Sequence, residues 1–254
     1  NTNIFDLEFN SSEYIHLITE IERRAYADRA THLGDEDFWQ VPTELLLSER
    51  YAKERAQNIS IDKSTASDDI KAGISPFSES EETTHYSVID KYGNAVSVTT
   101  TINSGYGSGI TVTGAGFILN NEMDDFSSKP GVPNMFGLIG NEANAIEAYK
   151  RPLSSMTPTL VIKDDKPFLI LGTPGGSTII TTVLQNILNV VVHKMNIKEA
   201  VDAPRFHSQW LPDQIDYEKN SLSKRTANKL KILGHKLDQR GYIGEANGIM
   251  IDNG

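Results

Sequence analysis

The period of the apolar positions changes once along this chain, from helical to alternating and then to a mixture. Residues 10–29 place Tyr14, Ile18, Ile21 and Ala25 at helical spacing, and Asn10 with Glu13 makes a capping-box-like start. A second helix is predicted from Ser48 to Gln57, after Val41-Pro42. Residues 59–82 are rich in Ser, Asp, Glu and Lys with little periodicity, which predicts an exposed linker. Beyond it, Thr84–Asp90 and Ala95–Ile102 alternate around Lys91-Tyr92-Gly93-Asn94, a hairpin signature. A Gly-rich loop at 105–109 leads into strands expected near 110–113 and 116–120. Prolines, glycines and asparagines over 127–143 predict a long loop of the kind that serves as a lid. A second hairpin joins Thr159–Ile162 to Phe168–Gly172. The strongest helix spans Gly176–Met195, where Ile179, Ile180, Val183, Leu184, Ile187, Leu188 and Val191 cover a wide apolar face and predict burial. A strand near 214–218, a helix over 222–233 and a strand at 247–251 follow.

Helices first, then sheet hairpins, then helices again favour a layered α+β architecture with sheets packed between helices. The sharpest change of character falls between Glu82 and Thr83, the predicted boundary between a first segment, 1–82, and a second, 83–254. At 254 residues and 38% hydrophobic, the chain can bury a substantial core. A net charge of −10 without any basic run argues against nucleic acid. No apolar run approaches a membrane span. Zero cysteines exclude disulfides, thiolate metal sites and a Cys nucleophile. His16, His32, His193, His207 and His235 show no metal-ligand spacing, so neither metal nor other cofactor is expected.

Candidate chemistry centres on Thr83. A Thr hydroxyl needs a base to become a nucleophile. An α-amino group titrates at about 7.7–8.0 and suits that task near neutral pH. Were the Glu82–Thr83 bond cut, Thr83 would carry both groups, and its own hydroxyl could make the cut by attacking the carbonyl of Glu82. Taken alone, Thr83-Thr84 also reads as a polar cap on a strand, and Thr101 as one β-former in Thr99-Thr100-Thr101. Asn120–Asp125 reads as a polar turn or a weak calcium loop, and Gly175-Gly176 as a phosphate loop, though it lacks the Walker lysine and the G-x-G-x-x-G spacing. His85 alternates onto the face opposite Thr84 and is read as structural.

Longer motifs add a resemblance. Thr83-Thr84-His85-Tyr86-Ser87-Val88, Gly93-Asn94-Ala95-Val96, Leu119–Phe126, Lys150-Arg151-Pro152-Leu153-Ser154-Ser155-Met156 and Pro174-Gly175-Gly176-Ser177 closely resemble the small subunit of γ-glutamyltranspeptidases. Ala25–Arg29 and Leu33-Gly34-Asp35 resemble the end of that family's large subunit. The resemblance implies the four-layer αββα sandwich of the N-terminal nucleophile hydrolases, with 1–82 the C-terminal part of the large subunit and 83–254 the catalytic small subunit. It implies self-cleavage between Glu82 and Thr83, with Thr83 as nucleophile and new N-terminus and Thr101 supporting it. Asn103, Glu122 and Asp125 would hold the α-amino and α-carboxyl groups of the glutamyl moiety, together with Thr101. Ser154 and Ser155 would bind the substrate carboxylate, and Gly175 and Gly176 would form the oxyanion hole.

The implied partners are glutathione or another γ-glutamyl compound, an acceptor amino acid, peptide or water, and the remainder of the large subunit. The implied location is a periplasm or the exterior. A relative acting on poly-γ-glutamate or a β-lactam side chain, and an unprocessed interaction module, are the competing readings. Two departures stand out. Thr178 replaces an Arg usual in the family, and the family's carboxylate-clamping Arg would lie upstream of Asn1. The family's last strand is also expected to be cut short after Gly254.

Overall fold

The computed structural model describes residues 3–70 and 83–251. In chain order these form α1 (Ser12–His32), α2 (Thr43–Leu46), α3 (Glu49–Ala56), β1 (Thr84–Ile89), β2 (Ala95–Thr100), β3 (Thr159–Lys163), β4 (Lys166–Gly172), α4 (Thr178–Val191), α5 (Ile197–Asp202), β5 (Phe206–His207), β6 (Ile215–Glu218), α6 (Lys224–Ile232), β7 (Leu237–Arg240) and β8 (Asn247–Met250). They fall into two compact units that interleave along the sequence. The first comprises Asn1–Glu79, Met123–Ser154 and Phe206–Arg240; the second comprises Ser80–Glu122, Ser155–Arg205 and Gly241–Gly254.

In the second unit, β1 and β2 form the expected hairpin, paired from Thr84↔Thr100 to Ile89↔Ala95. Its turn is closed by Asp90, whose carboxylate accepts from the N–H groups of Tyr92 (2.8 Å) and Asn94 (2.9 Å). Strand β4 lies between β3 and β8 in an antiparallel sheet. Leu169 and Leu171 of that sheet pack against Ile179, Val183 and Val190 of α4 and Ala200 of α5, forming a buried core. Alternation sends Ile170 and Gly172 to the other side, where the β1–β2 hairpin packs on β4. The Ser97 hydroxyl donates to the Leu171 carbonyl at 3.0 Å. This unit is therefore a hairpin, a sheet and a helical layer stacked in that order.

The first unit is organised around α1. Ser11 caps the helix, its hydroxyl accepting from Tyr14 N–H at 3.1 Å, so the cap is one residue later than Asn10. Tyr14 and Ile18 are buried as expected, but Ile21 and Ala25 face outward. The buried face carries charge: Glu20, fully enclosed, accepts from Arg23 at 3.1 Å, Arg24 at 2.8 Å and the Thr65 hydroxyl at 2.6 Å. Sheet β5-β6-β7 joins β5 antiparallel and β7 parallel to β6.

Part of the expected linker is a packed segment. Thr65 is held by Glu20, Ser67 and Trp210 exchange two hydrogen bonds (2.6 and 3.0 Å), and Ile70 is buried. Hydrogen bonds to buried partners hold a polar segment that offers few apolar side chains of its own. Residues 71–82 of that linker, with Glu82 itself, lie outside the described residues, as does the end of the chain beyond Ile251. The strands expected near 110–113 and 116–120 reduce to one bridge, Thr111↔Ile118. The 127–143 loop is irregular as expected, yet it buries Phe136, Ile139 and Ala143.

Candidate active site

Thr83 immediately precedes β1 and is half-buried. The β1–β2 register ends at the pair Thr84↔Thr100, which Thr83 and Thr101 flank in sequence. The Thr101 hydroxyl accepts from Asn103 N–H at 2.8 Å. Asn103 is buried at a φ of 73°, a left-handed conformation that asparagine tolerates better than most residues. Its side-chain amide donates to Asn121 O at 3.2 Å, while Asn121 Oδ1 accepts from Ser104 N–H at 3.0 Å. Glu122 follows directly, its N–H held by the Asn120 side chain at 3.0 Å. Burial pushes the Glu122 carboxyl above the usual carboxylate range. Hydrogen bonds thus join Thr101 to Asn103 and Asn103 to Asn121, the residue directly before Glu122.

His85 is buried in β1, with Nδ1 2.8 Å from Thr99 Oγ1 and Nε2 3.1 Å from Ser87 Oγ. Burial lowers its pKa, so the ring is neutral near pH 7. It rests on Gly172: a Cβ there would stand 2.3 Å from His85 Cε1. This contact ties the start of β1 to the end of β4, and β4 runs on into Gly175-Gly176. Those two glycines have φ values of 133° and 54°, which L side chains rarely adopt. The turn is closed by Thr178, whose N–H and hydroxyl both donate to Gly175 O, at 2.9 and 2.7 Å. The departure at Thr178 therefore has a structural role. The pair also opens onto the first turn of α4, where backbone N–H groups carry partial positive charge.

Ser155 begins the next segment of this unit, and its carbonyl accepts from Thr157 Oγ1 at 2.8 Å. Asp125 and Ser154 belong to the first unit. There, Arg151 donates through its backbone N–H at 2.8 Å and its Nε at 2.9 Å to the buried carboxylate of Asp35. A second guanidinium nitrogen bonds Asp35 as well. Those bonds hold Asp35 below the usual carboxylate range and fix the 150–154 segment. Asp125 faces Arg29 electrostatically. Asn144, which lies in none of the motifs, bonds the backbones of Asp125 and Leu153.

A third grouping was invisible in the histidine spacing. The ligand atoms of His16, Glu20 and His235 lie within 4.8 Å of one another. His16 Nδ1 is 2.7 Å from His235 Nε2 and His16 Nε2 is 2.7 Å from Ser60 O. With Glu20 engaged by two arginines and Thr65, the arrangement is a hydrogen-bond network.

The family model for γ-glutamyltranspeptidase matches residues 1–254. The chain belongs to the γ-glutamyltranspeptidase family. Over 97% of its length it is 49% identical to the glutathione hydrolase proenzyme of Escherichia coli (strain K12), spanning 43% of that relative. The chain thus covers less than half the length of the curated relatives it matches. Among solved structures it is similar to the T380A mutant of Helicobacter pylori γ-glutamyltranspeptidase: 59% identity, TM-score 0.65, 66% of this chain and 90% of that one. It is also similar to a cephalosporin acylase from Bacillus halodurans, at 25% identity and TM-score 0.76, over 98% of this chain and 44% of that one. The α+β fold is that of the N-terminal nucleophile hydrolases to which these γ-glutamyltranspeptidases belong. No helix among the described residues is long and apolar enough to cross a membrane.

Proposed function

We propose that this protein cuts itself between Glu82 and Thr83 and then transfers or hydrolyses γ-glutamyl groups, glutathione being the representative substrate. The supporting observation is the placement of Thr83. It stands at the open end of a hairpin, one residue before the Thr84–Thr100 pair as Thr101 is one residue after it, while His85 on Gly172 joins that end to the strand leading into the Gly175-Gly176 turn. In this reading Thr83 Oγ attacks the γ-carbonyl carbon as its α-amine takes the hydroxyl proton. The carbonyl oxygen becomes an oxyanion held by backbone N–H groups at Gly175 and Gly176. The proton then goes to the departing amine, leaving a γ-glutamyl ester on Thr83. Water or an acceptor amine attacks that ester and restores the hydroxyl.

Thr101 positions the nucleophile and its amine. Asn103, Glu122 and Asp125 bind the α-amino and α-carboxyl groups, and Ser154 and Ser155 add hydroxyls to the carboxylate. The 127–143 loop serves as a lid that favours small substrates. The remainder of the large subunit completes the carboxylate site, and the protein works in a periplasm or outside the cell. The Escherichia coli relative's description as a proenzyme supports maturation by cleavage.

Mass spectrometry of the purified protein tests the first step: a cut at Glu82–Thr83 is expected, and none in Thr83→Ala. Hydrolysis of γ-glutamyl-p-nitroanilide by the cut form tests the second. A Thr83→Ala protein that still cut itself would sink the reading. The acylase likeness favours one alternative, action on a β-lactam side chain, and a preference for a glutaryl over a γ-glutamyl amide would establish it instead.

A further inference from the structure

A glutamyl substrate carries its α-amino and α-carboxyl groups on one carbon, so the protein groups that meet them must keep a fixed spacing. Asp125 and Ser154 are assigned to those two groups, and they sit on different irregular segments. Neither segment has a helix or sheet ladder to hold it to the other. Asp125 ends a short 3-10 turn, Glu122–Asp125, and Ser154 lies in the irregular stretch that begins at Arg151.

One side chain spans the two. Asn144 is 5% exposed. Its Nδ2 donates to Asp125 O at 2.7 Å, and its Oδ1 accepts from Leu153 N–H, directly before Ser154, at 2.9 Å. Its own backbone is pinned as well: the carbonyl accepts from Ser127 N–H at 2.8 Å and the N–H donates to Asn141 O at 3.0 Å. Asp125, Asn144 and Leu153 line one water-sized void of about 10 Å³ with Arg29, too small for a ligand. Donor and acceptor point opposite ways from one amide, which no carboxylate or hydroxyl of equal size can reproduce.

Building on the proposed function, we infer that Asn144 is a positioning residue that sets the distance between Asp125 and Ser154. Through that spacing it confines the enzyme to substrates bearing both an α-amino and an α-carboxyl group. Its contribution is therefore to ground-state recognition and little to bond making.

The test measures kcat and KM for the wild type, Asn144→Asp and Asn144→Ala. The substrates are γ-glutamyl-p-nitroanilide, glutaryl-p-nitroanilide (no α-amino group) and 4-aminobutyryl-p-nitroanilide (no α-carboxyl group). Asn144→Asp keeps the volume and the acceptor for Leu153 but turns an oxygen toward Asp125 O, so it carries the test should Asn144→Ala not fold. KM for the γ-glutamyl substrate is expected to rise about tenfold in the variants, with a much smaller change in kcat. The preference over the two truncated substrates is expected to narrow, with the cut at Glu82–Thr83 still made. An equal fall in kcat/KM for all three substrates, leaving the preference intact, would overturn the inference and mark Asn144 as a structural residue only. A wild type that shows no preference for the γ-glutamyl compound overturns the functional reading itself, before any variant is compared.

Discussion

Replacing His235 with Gln is expected to remove much of the acid sensitivity of the first unit. His16 Nε2 faces the carbonyl of Ser60, which only accepts, so Nε2 carries the proton and Nδ1 receives a bond from His235 Nε2–H. Both rings are buried. Burial first, then His16 and the Arg23 charge, lower the His235 pKa from 6.5 to about 4, against the opposing pull of Glu20. A base whose folded pKa is lowered favours the neutral form. Its contribution is whole above pH 6.5 and is lost as pH falls from there toward 4. Holding the ring neutral over that interval corresponds to about 3 kcal/mol, of which about 2 kcal/mol is gone by pH 5.

Glutamine at 235 offers His16 a permanent amide donor that does not titrate. Urea unfolding at pH 7.5 and pH 5, extrapolated to water, should show the wild type losing about 2 kcal/mol more than His235→Gln between the two. Carboxylates held by partners, such as Glu13 with a pKa of about 2 beside Lys229 and the arginine-bound Glu20, are common to both proteins. Parallel losses in the two proteins would refute the argument.

Four further outcomes are expected. Gly172→Ala brings a methyl to within 2.3 Å of the His85 ring; an overpacking cost of about 1–3 kcal/mol and slower appearance of the cut at Glu82–Thr83 should follow, read by denaturation and timed mass spectrometry. Thr178→Val keeps the volume and deletes the 2.7 Å bond to Gly175 O; kcat should fall several-fold with KM little changed in steady-state assays. Glu22→Gln removes a carboxyl whose pKa burial raises well above 4.5. A raised acid costs stability only above its unfolded pKa, so the gain in Tm should be larger at pH 8 than at pH 5. Asp35→Asn weakens the fork on Arg151, and KM for the γ-glutamyl substrate should rise, while Arg151→Lys, which cannot form that fork, should do the same.

Legibility followed the range of the interactions. The β1–β2 hairpin could be read because its turn chemistry lies within four residues of Asp90, and α4 because its apolar face is wide and uninterrupted. Strands β5 and β7 carry no alternation signal, one being two residues long and the other polar and paired parallel to β6. Around 105–118, Gly107, Gly109, Gly114 and Gly116 all take positive φ and break the ladder that alternation suggested. The inward face of α1 departs from the apolar spacing because arginines and Glu20 satisfy one another inside. The candidate site was readable as motifs, since its members cluster in short words around Thr83, Asn120, Ser154 and Gly175. What joins the words was not: Asn144 reaches back 19 residues to Asp125, and His16 meets His235 across 219.

The first unit takes its residues from both sides of the Glu82–Thr83 bond, Asn1–Glu79 from one and Met123–Ser154 and Phe206–Arg240 from the other. Severing that bond would convert a spontaneous, concentration-independent refolding into an encounter between two separate polypeptides. Once melted, the matured protein would regain its shape more slowly on dilution, whereas the unsevered precursor would not.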